Sequence, residues 1–177
     1  MKVVDTKFYG LKLVKSKVYY DNRGVLKEAY KKSVLNKNLP FDFYSTSKKN
    51  VIRGLHFQTK KQQAKLISVL KGKILDVCVD LRKNSKTFGE CFKIILSDKN
   101  ETSIFIPEGF AHGFCAIEKF NLVYYKMSNY RFKNFEKGIL WNDYDLSIKW
   151  PTNKPIISKK DRANMSLKKF LKTHKHL

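Results

Sequence analysis

From Val51 to Met127 the chain is a succession of short apolar or alternating segments separated by turn residues, and this pattern constrains the fold more than any other feature. Strands are expected at Lys65–Leu70, Ile74–Leu81, Phe92–Leu96, Ser103–Ile106, Phe114–Ile117 and Asn121–Met127. The breaks between them fall at Lys71-Gly72-Lys73, Lys83-Asn84-Ser85, Ser97-Asp98-Lys99-Asn100 and Pro107-Glu108-Gly109, all rich in residues with turn chemistry. Strands at this spacing read as an antiparallel all-β domain rather than βαβ units. They close naturally into a sandwich or barrel, which removes exposed strand edges.

The stretch from Ser158 onward has a different period. Leu167, Phe170 and Leu171 fall at i, i+3 and i+4, so Ser166–His174 is expected to be a short amphipathic helix with its lysines in water. No internal repeat or low-complexity linker interrupts the chain. The expectation is one domain over residues 1–177, with a barrel core at about 45–130 and a C-terminal helical segment at about 158–177.

Composition limits the classes of function. With 177 residues, 42% hydrophobic and 14% aromatic, the chain has the material for a core and is not a disordered sequence. It holds no apolar run of about 18 residues that would span a bilayer. Met1-Lys2-Val3-Val4-Asp5 lacks the apolar stretch of a signal peptide, so a cytoplasmic protein with no membrane partner is expected. Cys78, Cys91 and Cys115 are odd in number, sit in apolar segments and form no CxxC, and they read as reduced core residues.

The formal charge is +22, from 37 Lys and Arg against 15 Asp and Glu. Such a charge is compatible with nucleic-acid binding, and equally with a lysine-biased composition around a small anionic ligand. The lysines are scattered, with short clusters only at Lys31-Lys32, Lys48-Lys49, Lys60-Lys61, Lys159-Lys160 and Lys168-Lys169, and no nucleic-acid fold signature is present. The small anionic ligand is the preferred reading.

Arg53, His56, Lys65 and Tyr125 lie in or beside expected strands of one small barrel, where inward residues of different strands meet. A neutral imidazole suits proton abstraction near neutral pH, and a carboxylate behind it would fix its tautomer. A lysine supplies positive charge where an enolate oxygen develops, and a tyrosine hydroxyl can deliver a proton from the other face. These are the parts of an epimerase acting next to a carbonyl, although any small barrel can contain a His, a Lys and a Tyr. Metal binding is the rival use for the histidines. Position 58 is Gln58 where an H-x-H pair would need a second histidine, and His174 and His176 lie in the basic tail, so no metal site is expected.

The chain resembles the dTDP-4-dehydrorhamnose 3,5-epimerase family of cupin-like jelly rolls. The resemblance rests on Asp21-Asn22-Arg23-Gly24, Lys49 through Gln58, Gln63-Ala64-Lys65-Leu66, Asp76 through Arg82, Thr87-Phe88-Gly89, Ile106 through Phe114, Gly138 through Asp143, Trp150-Pro151 and Ser158 through Asp161, and it covers roughly residues 3 to 165. It implies an isomerase that needs no cofactor, with His56 as general base paired to Asp161, Lys65 stabilising the enolate, and Tyr125 as the opposing acid. It further implies that Arg53 and His112 line the sugar and diphosphate. Arg23 and Glu28 would reach the nucleotide from a strand exchanged across a homodimer, and Glu136 and Lys160 would add ligand contacts. The implied substrate is a nucleotide-diphosphate-linked 4-keto-6-deoxy-hexose, inverted at carbon 3 and carbon 5 or at carbon 3 alone. A non-catalytic sugar-nucleotide-binding barrel is the alternative of another class. The sequence departs from the family's pattern where Phe41-Asp42-Phe43 replaces a Gln-x-Asn of ligand contacts, and where Arg131 stands in place of a frequent aromatic.

Overall fold

A computed structural model of the chain describes residues 1–174. His176 and the last residues of the expected helical segment lie outside the described residues. The strands are β1 (Lys2–Asp5), β2 (Lys12–Lys15), β3 (Val18–Asp21), β4 (Gly24–Lys27), β5 (Phe41–Lys48), β6 (Ile52–Gln58), β7 (Lys65–Lys71), β8 (Lys73–Asp80), β9 (Cys91–Ser97), β10 (Thr102–Ile106), β11 (Phe110–Ala116), β12 (Phe120–Met127) and β13 (Glu136–Gly138). The α-helices are α1 (Lys32–Leu35), α2 (Lys159–Arg162) and α3 (Leu167–His174).

The fold is all-β, a jelly roll of two facing sheets with short C-terminal helices, as the turn spacing and the resemblance imply. One sheet runs β1-β2-β10-β7-β12-β5 and the other β13-β6-β11-β8-β9, while β3 and β4 form a separate hairpin. Strand alternation sorts the side chains. In β8, Ile74 and Cys78 face the partner sheet, whereas Val77 and Val79 face the C-terminal segment. The space between the sheets is filled by Ile67, Val69, Ile74, Ile104, Ile106, Phe110, Phe114 and Val123, with Phe8 and Leu11 closing it. Fully burying side chains of this kind contributes about 1.5–3 kcal/mol each before conformational entropy is set against it. A second cluster joins Leu55, Phe57, Val77, Val79 and Ala111 to Leu167 and Phe170 of α3, so the C-terminal helix covers the outer face of the five-stranded sheet.

The expected strands from Lys65 to Met127 are all present, with β11 beginning at Phe110 rather than Phe114. That extension places His112 within a strand. Strands also occur outside residues 45–130: β1 and β2 extend the larger sheet through β10, and β13 pairs with β6. Cys78 and Cys115 are buried free thiols, whereas Cys91, on the edge strand β9, is half-buried.

One irregularity decides where the functional side chains point. Opposite β6, His112 pairs with His56 while Phe114 pairs with Arg53, so three steps on β6 match two on β11. Strict alternation would send Arg53 and His56 to opposite faces. The extra residue, a β-bulge, places both on the inward face with His112 and Phe114. Gly54 and Gly113 permit it: a Cβ on Gly113 would lie 2.6 Å from the Arg53 carbonyl oxygen, and one on Gly54 would lie 2.5 Å from Gly113 Cα.

Candidate active site

A cavity of about 530 Å³ opens between the sheets, lined from the five-stranded sheet by Arg53, His56 and His112 and from the six-stranded sheet by Phe43, Lys65 and Tyr125. Lys65 and Tyr125 share the inward face because the register pairs Tyr125 with Ile67 and Met127 with Lys65. The C-terminal segment closes the side of the cavity with Ser158, Lys160 and Asp161.

Asp161 stands behind His56, its Oδ1 2.6 Å from His56 Nε2. An ionised carboxylate only accepts hydrogen bonds, so Nε2 carries the hydrogen and Nδ1 is left as the free lone pair of a ring that lines the cavity. Burial raises the Asp161 carboxyl, but the hydrogen bond and charge of His56, with the Gly54 N–H, outweigh it and hold the group below the usual carboxylate range. The segment is set by its cap: the Ser158 side chain accepts from the Asp161 N–H at 3.0 Å, starting α2 with Asp161 in its first turn.

Lys65 is 5% exposed, and its Nζ donates to the His56 carbonyl oxygen at 3.3 Å. Burial pushes its pKa down to about 8, against smaller opposing contributions from Cys78, Asp76 and Glu136. Tyr125 is buried, and loss of water raises its phenol well above the ordinary value, so it stays protonated throughout the neutral range. A protonated phenol on one wall thus faces an oriented imidazole on the other, with an ammonium beside them.

His112 Nε2 lies 2.8 Å from Asp76 Oδ2, and Asp76 is wholly buried in the middle of β8. Asp76 is a residue of the site that the sequence reading did not single out. Its signal was an acid in the apolar run Ile74–Leu81, since a buried carboxylate demands a partner. Arg53 is anchored across the sheets, Nε donating to Ser47 Oγ at 3.0 Å and Nη2 to the Thr46 carbonyl at 2.9 Å. At the mouth, Glu136 takes a two-pronged contact from Arg131 at 3.2 and 2.9 Å and a third from Lys160 Nζ at 2.6 Å. Burial raises its carboxyl, and these cations more than reverse that, bringing it to about 2. Of the ten residues expected to form the site, Arg23 and Glu28 are not brought to this cavity. Arg23 pairs with Asp21 on the exposed β3–β4 hairpin, and Glu28 lies 3.8 Å from the N-terminal amine. Among the described residues no group of three or more His, Cys, Asp or Glu side chains is placed to hold a metal ion.

Comparison with known proteins gives the family. The family described as dTDP-4-dehydrorhamnose 3,5-epimerase matches residues 5–169. The chain belongs to this epimerase family. It is 41% identical over 169 residues, 91% of each chain, to the dTDP-4-dehydrorhamnose 3,5-epimerase of Methanothermobacter thermautotrophicus. The Bacillus anthracis 3,5-epimerase crystal structure, which contains TDP and PPi, superposes with a TM-score of 0.90 at 43% identity, covering 94% of this chain and 99% of that one. The Legionella pneumophila dTDP-6-deoxy-D-glucose-3,5-epimerase in complex with dTDP-4-keto-L-rhamnose superposes with a TM-score of 0.90 at 36% identity, covering 94% and 93%. As a 3,5-epimerase family member the chain is an isomerase.

Proposed function

We propose that the chain inverts carbon 3 and carbon 5 of a dTDP-linked 4-keto-6-deoxy-hexose, with the cavity between the sheets as its active site. The observation that carries this reading is the opposition of the Asp161-oriented His56 on one wall and the protonated Tyr125 on the other, with Lys65 beside them. His56 Nδ1 takes the proton alpha to the ketone, and the electron pair of that C–H bond moves into the enolate. The Lys65 ammonium meets the developing oxygen charge in a site shielded from water, where it acts most strongly. Tyr125 gives its proton to the opposite face of the same carbon and regains one from solvent, as His56 loses the one it took. The pair His112–Asp76 sits beside this set, and Arg53 and Lys160 offer donors to the diphosphate. The ligands named for the Bacillus and Legionella structures support a thymidine diphosphate carrier.

The reading extends to a single domain acting as a cytoplasmic homodimer. Supporting the dimer, the β3–β4 hairpin exposes Tyr19, Tyr20, Val25 and Leu26 and carries Arg23 away from its own cavity, an arrangement suited to reaching a second copy's site. Supporting a reducing compartment, the three cysteines are unpaired.

The test is NMR in deuterated water with dTDP-4-keto-6-deoxy-glucose, following deuterium entry at carbons 3 and 5. Entry at both positions, abolished in His56→Ala and reduced by a factor of at least about 100 in Tyr125→Phe, is expected. Entry at carbon 3 alone would make the protein a 3-epimerase, and entry at neither would leave a binding barrel.

A further inference from the structure

The inward face of β5 carries Phe41, Phe43, Ser45 and Ser47 in succession. Phe43 lies directly opposite Tyr125 in the β5–β12 register, and the two rings stack with centroids 4.6 Å apart and planes 14° from parallel. Phe41 packs on Phe43 at 5.7 Å and on Tyr130 at 5.5 Å. Four rings therefore run from the buried Tyr125 phenol to the exposed Tyr130. The polar restraint on that phenol is weak by comparison: among the described residues its hydroxyl has one partner, Ser45 Oγ at 3.5 Å, the outer limit of a hydrogen bond. Stacking on Phe43, which also covers part of the ring against water, constrains the plane of the Tyr125 ring and with it the place of the hydroxyl oxygen.

We propose that Phe43 is the positioning residue for Tyr125, holding the phenol against β5 so that its proton is aimed at the substrate carbon. The inference rests on the reading of Tyr125 as the proton donor. It belongs to this chain, because the resemblance places an amide at position 43, and an amide offers no ring to stack on. The amide's ligand contact is exchanged for an orienting contact on the acid, and the two neighbouring rings, Phe41 and Tyr130, hold Phe43 in turn.

Full-length wild-type protein is compared with Phe43→Asn, Phe43→Leu and Phe43→Tyr. An aromatic pair of this kind corresponds to about a three- to tenfold effect. A fall of about that size in kcat is expected for Phe43→Asn and Phe43→Leu, with KM within about twofold of wild type and kcat restored in Phe43→Tyr. A raised KM at unchanged kcat would mean that Phe43 instead touches substrate and would overturn the proposal, as would unchanged kinetics. An independent readout is aromatic NMR on tyrosine-labelled protein. Stacking shields the Tyr125 ring protons, so their resonances should move downfield in the Asn and Leu variants and stay in place in Phe43→Tyr. Resonances that do not move would overturn the proposal even if wild type proved inactive on the keto sugar, an outcome that would by itself refute only the assigned reaction.

Discussion

Lys65 is a buried ammonium whose hydrogen-bond acceptor within the chain is a carbonyl, and its pKa of about 8 has two consequences of opposite sign. In the proposed mechanism the enolate is met by charge only while Lys65 is protonated, so kcat/KM should fall as pH rises through about 8. A pH–rate profile that stays flat well above that value would remove Lys65 from the role assigned to it. Stability moves the other way. Below about 8 the folded and unfolded chains both hold the proton, and the folded chain bears the full cost of a buried charge; between about 8 and the ordinary 10.5 only the unfolded chain holds it. The contribution of this residue to stability therefore grows with pH across that window. Denaturant titrations at about pH 7 and about pH 9.5 should show wild type gaining on Lys65→Met, a substitution that removes the titration and keeps the volume.

Among the elements, α2 has a single turn and yet supplies the carboxylate behind His56, the proposed base, so its cap matters beyond its length. Ser158→Ala should cost about 1 kcal/mol through loss of the N-cap. It should also lower kcat by loosening Asp161, whereas Ser158→Asp, which can still accept from the Asp161 N–H, should retain both; thermal melts and steady-state rates check this together. The strands β7 to β12 were legible because their apolar runs are bounded by turn residues. β1 and β4 were not legible from pattern: Lys2–Asp5 and Gly24–Lys27 are mostly exposed, and with no buried face they leave no alternation to read, so a strand near Arg23 and Glu28 was implied by the resemblance alone. The bulge in β6 was equally silent, because which residue is the extra one depends on the partner strand and not on β6. Residue types at His56, Lys65 and Tyr125 suggested the chemistry, but the pairing of His112 with Asp76, 36 positions apart, exists only once β8 and β11 are neighbours.

For the molecule as a whole, a charge of +22 surrounds a cavity proposed to take a diphosphate, and an attractive field should speed encounter. Raising salt from about 0.05 to about 0.5 M should lower kcat/KM several-fold while leaving kcat nearly constant, since screening acts on approach and not on the bound complex. A salt-independent kcat/KM would show that the lysines only solvate the surface. The resemblance and the turn spacing made the barrel legible, but nothing in the order of residues says which wall each functional group occupies. His56, His112 and Asp76 all come from the five-stranded sheet, and Lys65, Tyr125 and Phe43 all come from the six-stranded one. The packed side chains between the sheets, Ile67, Phe114 and Val123 among them, therefore act as a ruler: their summed girth sets the gap between the two walls, across which the proposed mechanism takes a proton from one side and returns it from the other. Trimming that filling by a methyl group far from the cavity would shorten the ruler, and turnover would register the change while the barrel still stood.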